Sequence, residues 1–248
     1  MGRDTTPVAE GIHRLTNGVS NFYLIEENGK LVLVDAGAPK DWARLTRALT
    51  ALGRRLTDLD AVLLTHAHSD HTGFAEQTRT EAGARVWVHE SDRDMATTGK
   101  VGPREGKATT YLLRPAFYRT FFVLTRGGAT KIVPVREVST FTDGDTIDVP
   151  GRPRAVHAPG HTPGSTALYF ESRRALLTGD TLVTHNPLTG RPGPQIMPSG
   201  LNTDSAEALR SLDNLAGITA DVLLAGHGDP WTGGLPEAIS RARTAGAS

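Results

Sequence analysis

The chain is predicted to be an α/β protein, and three observations point that way. Short β-rich runs alternate with stretches of helical apolar spacing. Several apolar strands end in a polar residue followed by a glycine-containing loop. A length of 248 residues is enough to bury a substantial core. No low-complexity tract, short-period repeat or long linker interrupts the chain, so a single domain over 1–248 is expected.

Each element has its own signal. VSNFYLIEENGKLVLVDAG predicts a hairpin that turns at Asn28-Gly29. In DWARLTRALTALG, Trp42, Leu45, Leu49 and Leu52 recur at helical spacing, and Gly53 suits the position just past the helix end. DAVLL, ARVWVH, GSTALYFE, RRALLTGD and ADVLLAG predict strands bounded by turn residues. LNTDSAEALRSLDNLAG predicts a helix entered through cap-forming residues and closed by Gly217.

Composition narrows the function. With 27 basic and 27 acidic residues, no global field draws in nucleic acid or an anionic membrane. MGRDTTPVAEG has no apolar signal region and no apolar run reaches spanning length, so a cytoplasmic protein with a small-molecule substrate is expected. The chain has no cysteine, so any metal must be held by nitrogen and oxygen.

The strongest signal is AVLLTHAHSDHTGF, where an apolar run ends in His66, His68, Asp70 and His71. Residues two apart on an extended segment point the same way, so His66 and His68 can share a cation. Asp70 and His71, where Thr72-Gly73 is expected to start a helix, face elsewhere. One tetrahedral ion cannot take all four without severe strain; two ions can. A loop of solvated imidazoles is the bland alternative. Other strand ends supply further ligands: His161 in the rigid turn HAPGHTPGS, Asp180 in LLTGDTLV and His227 in LLAGHGDPW. The expected sets are His66, His68 and His161 for one ion and Asp70, His71 and His227 for the other, with Asp180 shared.

THAHSDH matches the HxHxDH signature of the metallo-β-lactamase superfamily, and His161, Asp180 and His227 follow in that family's order. The resemblance runs from about Ser20 to Trp231. It implies an αββα sandwich: two mixed sheets face to face, helices outside, and a dinuclear site at one edge. Asp35 in LVLVDAG matches a recurring family position and is expected to steady the histidine loop; an ordinary turn aspartate is the alternative. HTPGS and TGDTL are similar to glyoxalase II, although no counterpart of its C-terminal helical domain follows Trp231. Asp180 argues against a true class B β-lactamase, and Val183 stands where lactonases of the family usually carry a tyrosine.

Two divalent cations about 3.5–4 Å apart share a water and lower its pKa towards roughly 7. The expected reaction is therefore hydrolysis of an ester, thioester, lactone or related bond by a bridging hydroxide, with Asp70 also passing a proton to the leaving atom. Zinc is the default metal, and iron or manganese accept the same ligands. A mononuclear iron oxidoreductase similar to the persulfide dioxygenases is the alternative.

Two segments are expected near the substrate. Residues 91–136 read as a lid-like insertion, with a helix from Pro115 to Gly127 that carries Phe117, Phe121 and Leu124 on one face. Phe117 and Phe121 are candidate substrate contacts, and Arg114, Arg119 and Arg126 are candidates for an anionic substrate; core packing or a homodimer contact is the other role open to the stripe. VTHNPLTGRPGPQIMPSG follows Asp180 directly, which makes His185 and Asn186 candidates too. His13, His89 and His157 are expected in the core or at the surface.

Overall fold

The computed structural model describes residues 5–247. The first sheet runs in sequence order through β1 (Thr6–Ala9), β2 (Ile12–Thr16), β3 (Asn21–Glu27), β4 (Lys30–Val34), β5 (Leu59–Leu63), β6 (Arg85–His89) and β7 (Ser139–Phe141). It is antiparallel as far as β4 and parallel from β4 to β7. The second sheet has the order β13 (Val222–Ala225), β10 (Ala175–Gly179), β9 (Thr166–Phe170) and β8 (Arg154–His157), with only β13 and β10 parallel. A separate hairpin pairs β11 (Val183–His185) with β12 (Pro192–Gln195).

Period-two alternation divides the core into three layers. On β4, Leu31 and Leu33 face outward to Leu45, Ala48 and Leu49 of α1 (Trp42–Ala51), and Ala75 of α2 (Ala75–Ala82) joins the same layer. Val32 and Val34 face inward and meet Ala175 and Leu177 of the second sheet. On β10, Leu176 turns the other way, to Ala208 of α5 (Ser205–Ser211) and to Ala238 and Ala242 of α6 (Leu235–Ala245). The expected αββα sandwich of two mixed sheets is therefore observed. No helix among the described residues is long and apolar enough to cross a membrane.

Local chemistry explains most boundaries. The β3–β4 hairpin closes between Glu27 and Lys30 with Asn28 at φ 48° and Gly29 at φ 78°, the pair of positive values that a two-residue primed turn needs. Asp204 caps α5 by accepting a hydrogen bond from the Glu207 amide at 2.8 Å. One boundary differs from the sequence reading. Helix α2 starts at Ala75, not at Thr72-Gly73, because Gly73 is pressed against the Gly37–Ala38 backbone, where a Cβ would stand 2.4 Å from Gly37 O. The Gly73 amide instead donates to Gly37 O at 2.8 Å, which locks the histidine loop to the end of β4.

The 91–136 segment is not uniform. Its first part, α3 (Arg93–Thr98), packs Met95 and Ala96 into the outer core, and Ile132 and Val135 return to the same layer. Helix α4 (Pro115–Gly127) matches its expected bounds but buries only Thr120. Tyr118, Phe121 and Phe122 are each more than half exposed, so the apolar stripe does not serve core packing. Thr120 Oγ1 donates to Pro187 O at 2.6 Å and Arg119 Nη2 to Gly18 O at 2.7 Å, fastening α4 across the loops at the strand exits.

Candidate metal centre

Four strands deliver side chains to one place. Asp35 leaves β4, His66 follows β5, Asp180 follows β10 and His227 follows β13. His161 arrives from the turn between β8 and β9. The parallel pairs β4–β5 and β10–β13 thus point their carboxyl ends at the same edge of the sandwich, where side chains of open α/β sheets converge.

All seven residues predicted from the sequence meet there. Their ligating atoms form three triplets: His66, His68 and His161; His66, His71 and Asp180; Asp70, His71 and His227. Within each triplet the atoms lie within 4.8 Å of one another. Asp180 stands between the two expected sets, its Oδ2 at 3.1 Å from His227 Nε2 and 3.4 Å from His161 Nε2, its Oδ1 at 3.6 Å from His71 Nε2. Asp70 Oδ2 lies 3.6 Å from His71 Nε2 and 3.7 Å from His227 Nε2.

Three of these atoms lack a hydrogen-bond partner although they are buried: His66 Nε2, His71 Nε2 and Asp180 Oδ1. Orphaned buried polar atoms cost about 1–3 kcal/mol each, and here they face one another across a common space. A divalent cation would supply what they lack, through an all-nitrogen and oxygen donor set.

The far side of each ring is held in turn. Asp35, at φ 60°, accepts hydrogen bonds from the Thr65 amide at 2.8 Å, from Thr65 Oγ1 and from His71 Nδ1 at 2.8 Å. It does what was expected of it, gripping the histidine loop at two points. His227 Nδ1 donates to Val19 O at 2.7 Å, and Ser20 Oγ donates to Asp70 Oδ2 at 2.6 Å. Such contacts fix tautomer and ring orientation.

The remaining supports were not read from the sequence. Asn202 Oδ1 lies 3.1 Å from His161 Nδ1, while Asn202 Nδ2 donates to Met197 O. Asp92, fully buried, accepts from the Ala67 amide, Thr162 Oγ1 and the Gly164 amide, which ties the loop of His66 and His68 to that of His161. In sequence Asp92 looks like an ordinary helix-start aspartate, and no local pattern marks it as a cross-brace.

Electrostatics divides the cluster. Burial, reinforced by neighbouring rings, holds His66 and His68 well below the ordinary imidazole range, and Arg104 adds to the effect on His68. Burial also lowers His161. Neutral imidazole is the form that binds metal. Burial opposes charge on His71 as well, but Asp180, Asp70 and Asp35 outweigh it and push it up to about 10. Asp180 stays well below the usual carboxylate range despite burial, through His227 and His71.

The cluster opens into a cavity of about 320 Å³. His68, Asp70, His161, Asp180 and His227 form its floor, and Phe121 and Leu124 of α4 form part of its wall. Phe117 does not line it; its ring stacks parallel to Phe121 at 6.3 Å. His185 and Asn186 are not brought to it either. The β11–β12 hairpin carries His185 into a separate cavity beside Arg119 and Trp231. Asn186 is buried, and its Oδ1 accepts from the Leu188 and Thr189 amides, a turn-capping role. Arg119 is engaged by Gly18 O, and neither Arg114 nor Arg126 lines the cavity.

The other histidines lie away from the cluster. His13 pairs with Glu26 at 2.8 Å. His89 and His157 stack with ring centres 4.0 Å apart. Burial and the His157 ring lower His89 to about 4, against about 6.5 for a free imidazole. Between those values the unfolded chain binds a proton that the folded chain refuses, so acidification through this window costs the fold stability. Replacing His89 with glutamine should therefore flatten the fall in Tm between about pH 7 and about pH 4.5. Thermal melts of both proteins across that range check it, and parallel curves would contradict it.

Comparison with known proteins agrees with this geometry. The sequence profile of the Metallo-beta-lactamase superfamily matches residues 15–227. A probable metallo-hydrolase of Bacillus subtilis (strain 168), YflN, is 28% identical over 240 residues, covering 91% of this chain and 86% of that protein. An uncharacterized protein of Mycobacterium tuberculosis (strain ATCC 25618 / H37Rv) is 31% identical over 224 residues, covering 86% and 87%. The crystal structure of a metallo-beta-lactamase family protein from Thermus thermophilus superposes with TM-score 0.69 at 24% identity, covering 96% of this chain and 80% of that one. The Rm3 metallo-beta-lactamase gives TM-score 0.72 at 20% identity, covering 98% and 92%. The profile match spans both halves of the sandwich and every residue of the cluster, and on that ground the chain belongs to the metallo-β-lactamase superfamily.

Proposed function

We propose that the chain is a dinuclear metal-dependent hydrolase that acts on an ester, thioester or lactone bond of a small molecule. His66, His68 and His161 hold one ion, Asp70, His71 and His227 hold the other, and Asp180 serves both. The observation that carries this reading is the trio of buried, partnerless atoms on His66, His71 and Asp180, which face one another between the two sets. Bound there, two divalent cations, most readily zinc, supply Lewis acidity and lower the pKa of water to about 7.

The chain's own residues supply the rest. Ser20 fixes one oxygen of Asp70, and the carboxylate lines the cavity, where it can hold a proton for transfer to the leaving atom. Asp35 and Asn202 keep the His71 and His161 rings aimed inward, so little reorganisation is needed when substrate arrives. Helix α4 covers one side of the cavity and limits the entry of bulk water. A protein nucleophile is not required: the chain has no cysteine, and Ser69, the serine that lines the cavity, donates its hydroxyl to Ala129 O at 2.8 Å.

The test is elemental analysis of protein purified without chelator, followed by a panel of uncharged and charged esters, thioesters and lactones. About two zinc ions per chain and chelator-sensitive hydrolysis are expected. A single iron with oxygen uptake on a persulfide would replace this reading with the oxidoreductase alternative.

A further inference from the structure

Two cations stand on the rim of the cavity without a carboxylate partner among the described residues: Arg104 and Lys131. Some arginines elsewhere in the chain do have such a partner: Arg54 grips Glu26, Arg79 grips Glu76, and Arg174 grips Asp221. The acidic groups lining the cavity are Asp70 and Asp180, both already committed to the histidine cluster. The wall between rim and floor is apolar, made by Val101, Phe121, Leu124 and Ile132.

Arg104 is not on a free strand of surface chain. The next residue, Glu105, donates its amide to Asn202 O at 2.9 Å and accepts from the Ser205 amide at 2.7 Å through its side chain. The Gly106 amide donates to Ser199 O at 3.0 Å, and a Cβ on Gly106 would stand 3.0 Å from that same segment. This segment carries Asn202, the residue that positions His161. The backbone bearing Arg104 is therefore indexed to the His66, His68 and His161 side of the centre. A guanidinium is always charged and matches a carboxylate with two parallel hydrogen bonds.

Building on the hydrolase reading, we propose that Arg104, assisted by Lys131, anchors a second, non-reacting carboxylate on the acyl portion of the substrate. The carbon chain between that carboxylate and the scissile carbonyl lies along Phe121, Leu124 and Ile132. The substrate class is thus a half-ester, half-thioester or related monoacyl derivative of a short dicarboxylic acid. A neutral acyl chain of equal length fits the apolar wall but leaves the rim cations unmatched.

Binding and turnover test this separately. Calorimetry with glutarate and with pentanoate should show glutarate bound at least about tenfold more tightly by the wild-type protein. In Arg104→Ala that preference should vanish, and Arg104→Lys should restore part of it. Equal affinity of the wild type for both acids, or an unchanged preference in Arg104→Ala, overturns the proposal, and this readout requires no catalysis. With 4-nitrophenyl monoesters of glutaric and hexanoic acids, the wild-type kcat/KM ratio should favour the glutarate ester, and Arg104→Ala should lower the ratio about tenfold, chiefly through KM. A preference seen in binding but no turnover of either ester refutes the hydrolase reading alone.

Discussion

Replacing Asp180 with alanine should abolish turnover and lower metal content together. Among the described residues Asp180 is the one carboxylate within 3.8 Å of His66, His71, His161 and His227 at once, so none of them can take its place. Lewis-acid stabilisation is worth several kcal/mol, and about 1.4 kcal/mol is a factor of ten in rate. A loss of at least about a thousandfold in kcat/KM is therefore expected, with metal content falling below that of the wild type. Asp180→Asn keeps the shape but not the charge and should also fail to load fully. Elemental analysis alongside kinetics settles the point: a fully loaded Asp180→Ala protein with undiminished rate would remove the bridging role.

The second large effect is expected from a residue with no side chain. A Cβ on Gly226 would stand 2.2 Å from Asp180 Oδ1 and 2.8 Å from His71 Cε1. Neither neighbour can retreat, because His71 is pinned by Asp35 and Asp180 lies against His227. Gly226→Ala should fold, since overpacking costs about 1–3 kcal/mol, but with the cluster forced apart. We expect native-like circular dichroism, a lowered Tm, metal affinity reduced by about a hundredfold and activity lost with it. Wild-type metal affinity in this variant would show that the glycine is merely tolerated at that position.

The cluster was legible because ligands are unusual residue types at strand exits, where burial of an imidazole needs a reason. His66 to His227 could be read one by one for that cause. Braces are another matter. Asn202 and Asp92 act through hydrogen bonds to residues far away in sequence, 41 positions in the case of His161 and Asn202. Nothing local distinguishes them from loop asparagines and helix caps. His185 and Asn186 failed for the converse reason: closeness to Asp180 along the chain did not survive the hairpin, which turns both away from the cavity. β-rich apolar runs bounded by turn residues marked the central strands well, whereas β7 and β11, three residues each, are too short to stand out as such runs. The exposed face of α4 was visible as a stripe, but whether a stripe meets core or cavity depends on neighbours that sequence does not supply.

The two sheets contribute unequally and incompletely to the centre. The first brings His66, His68, Asp70 and His71; the second brings His161, Asp180 and His227. Their seam is stitched near that point by the Asn21 amide on Gly226 O at 2.7 Å, Tyr23 Oη on Ala225 O at 2.7 Å and the Thr166 amide on Thr65 O at 2.9 Å. Neither half can assemble a reaction centre on its own. On the proposed hydrolase reading, bound ions would act as a clasp between the halves, and stripping them should first loosen amide exchange along this suture while leaving each sheet's interior protected.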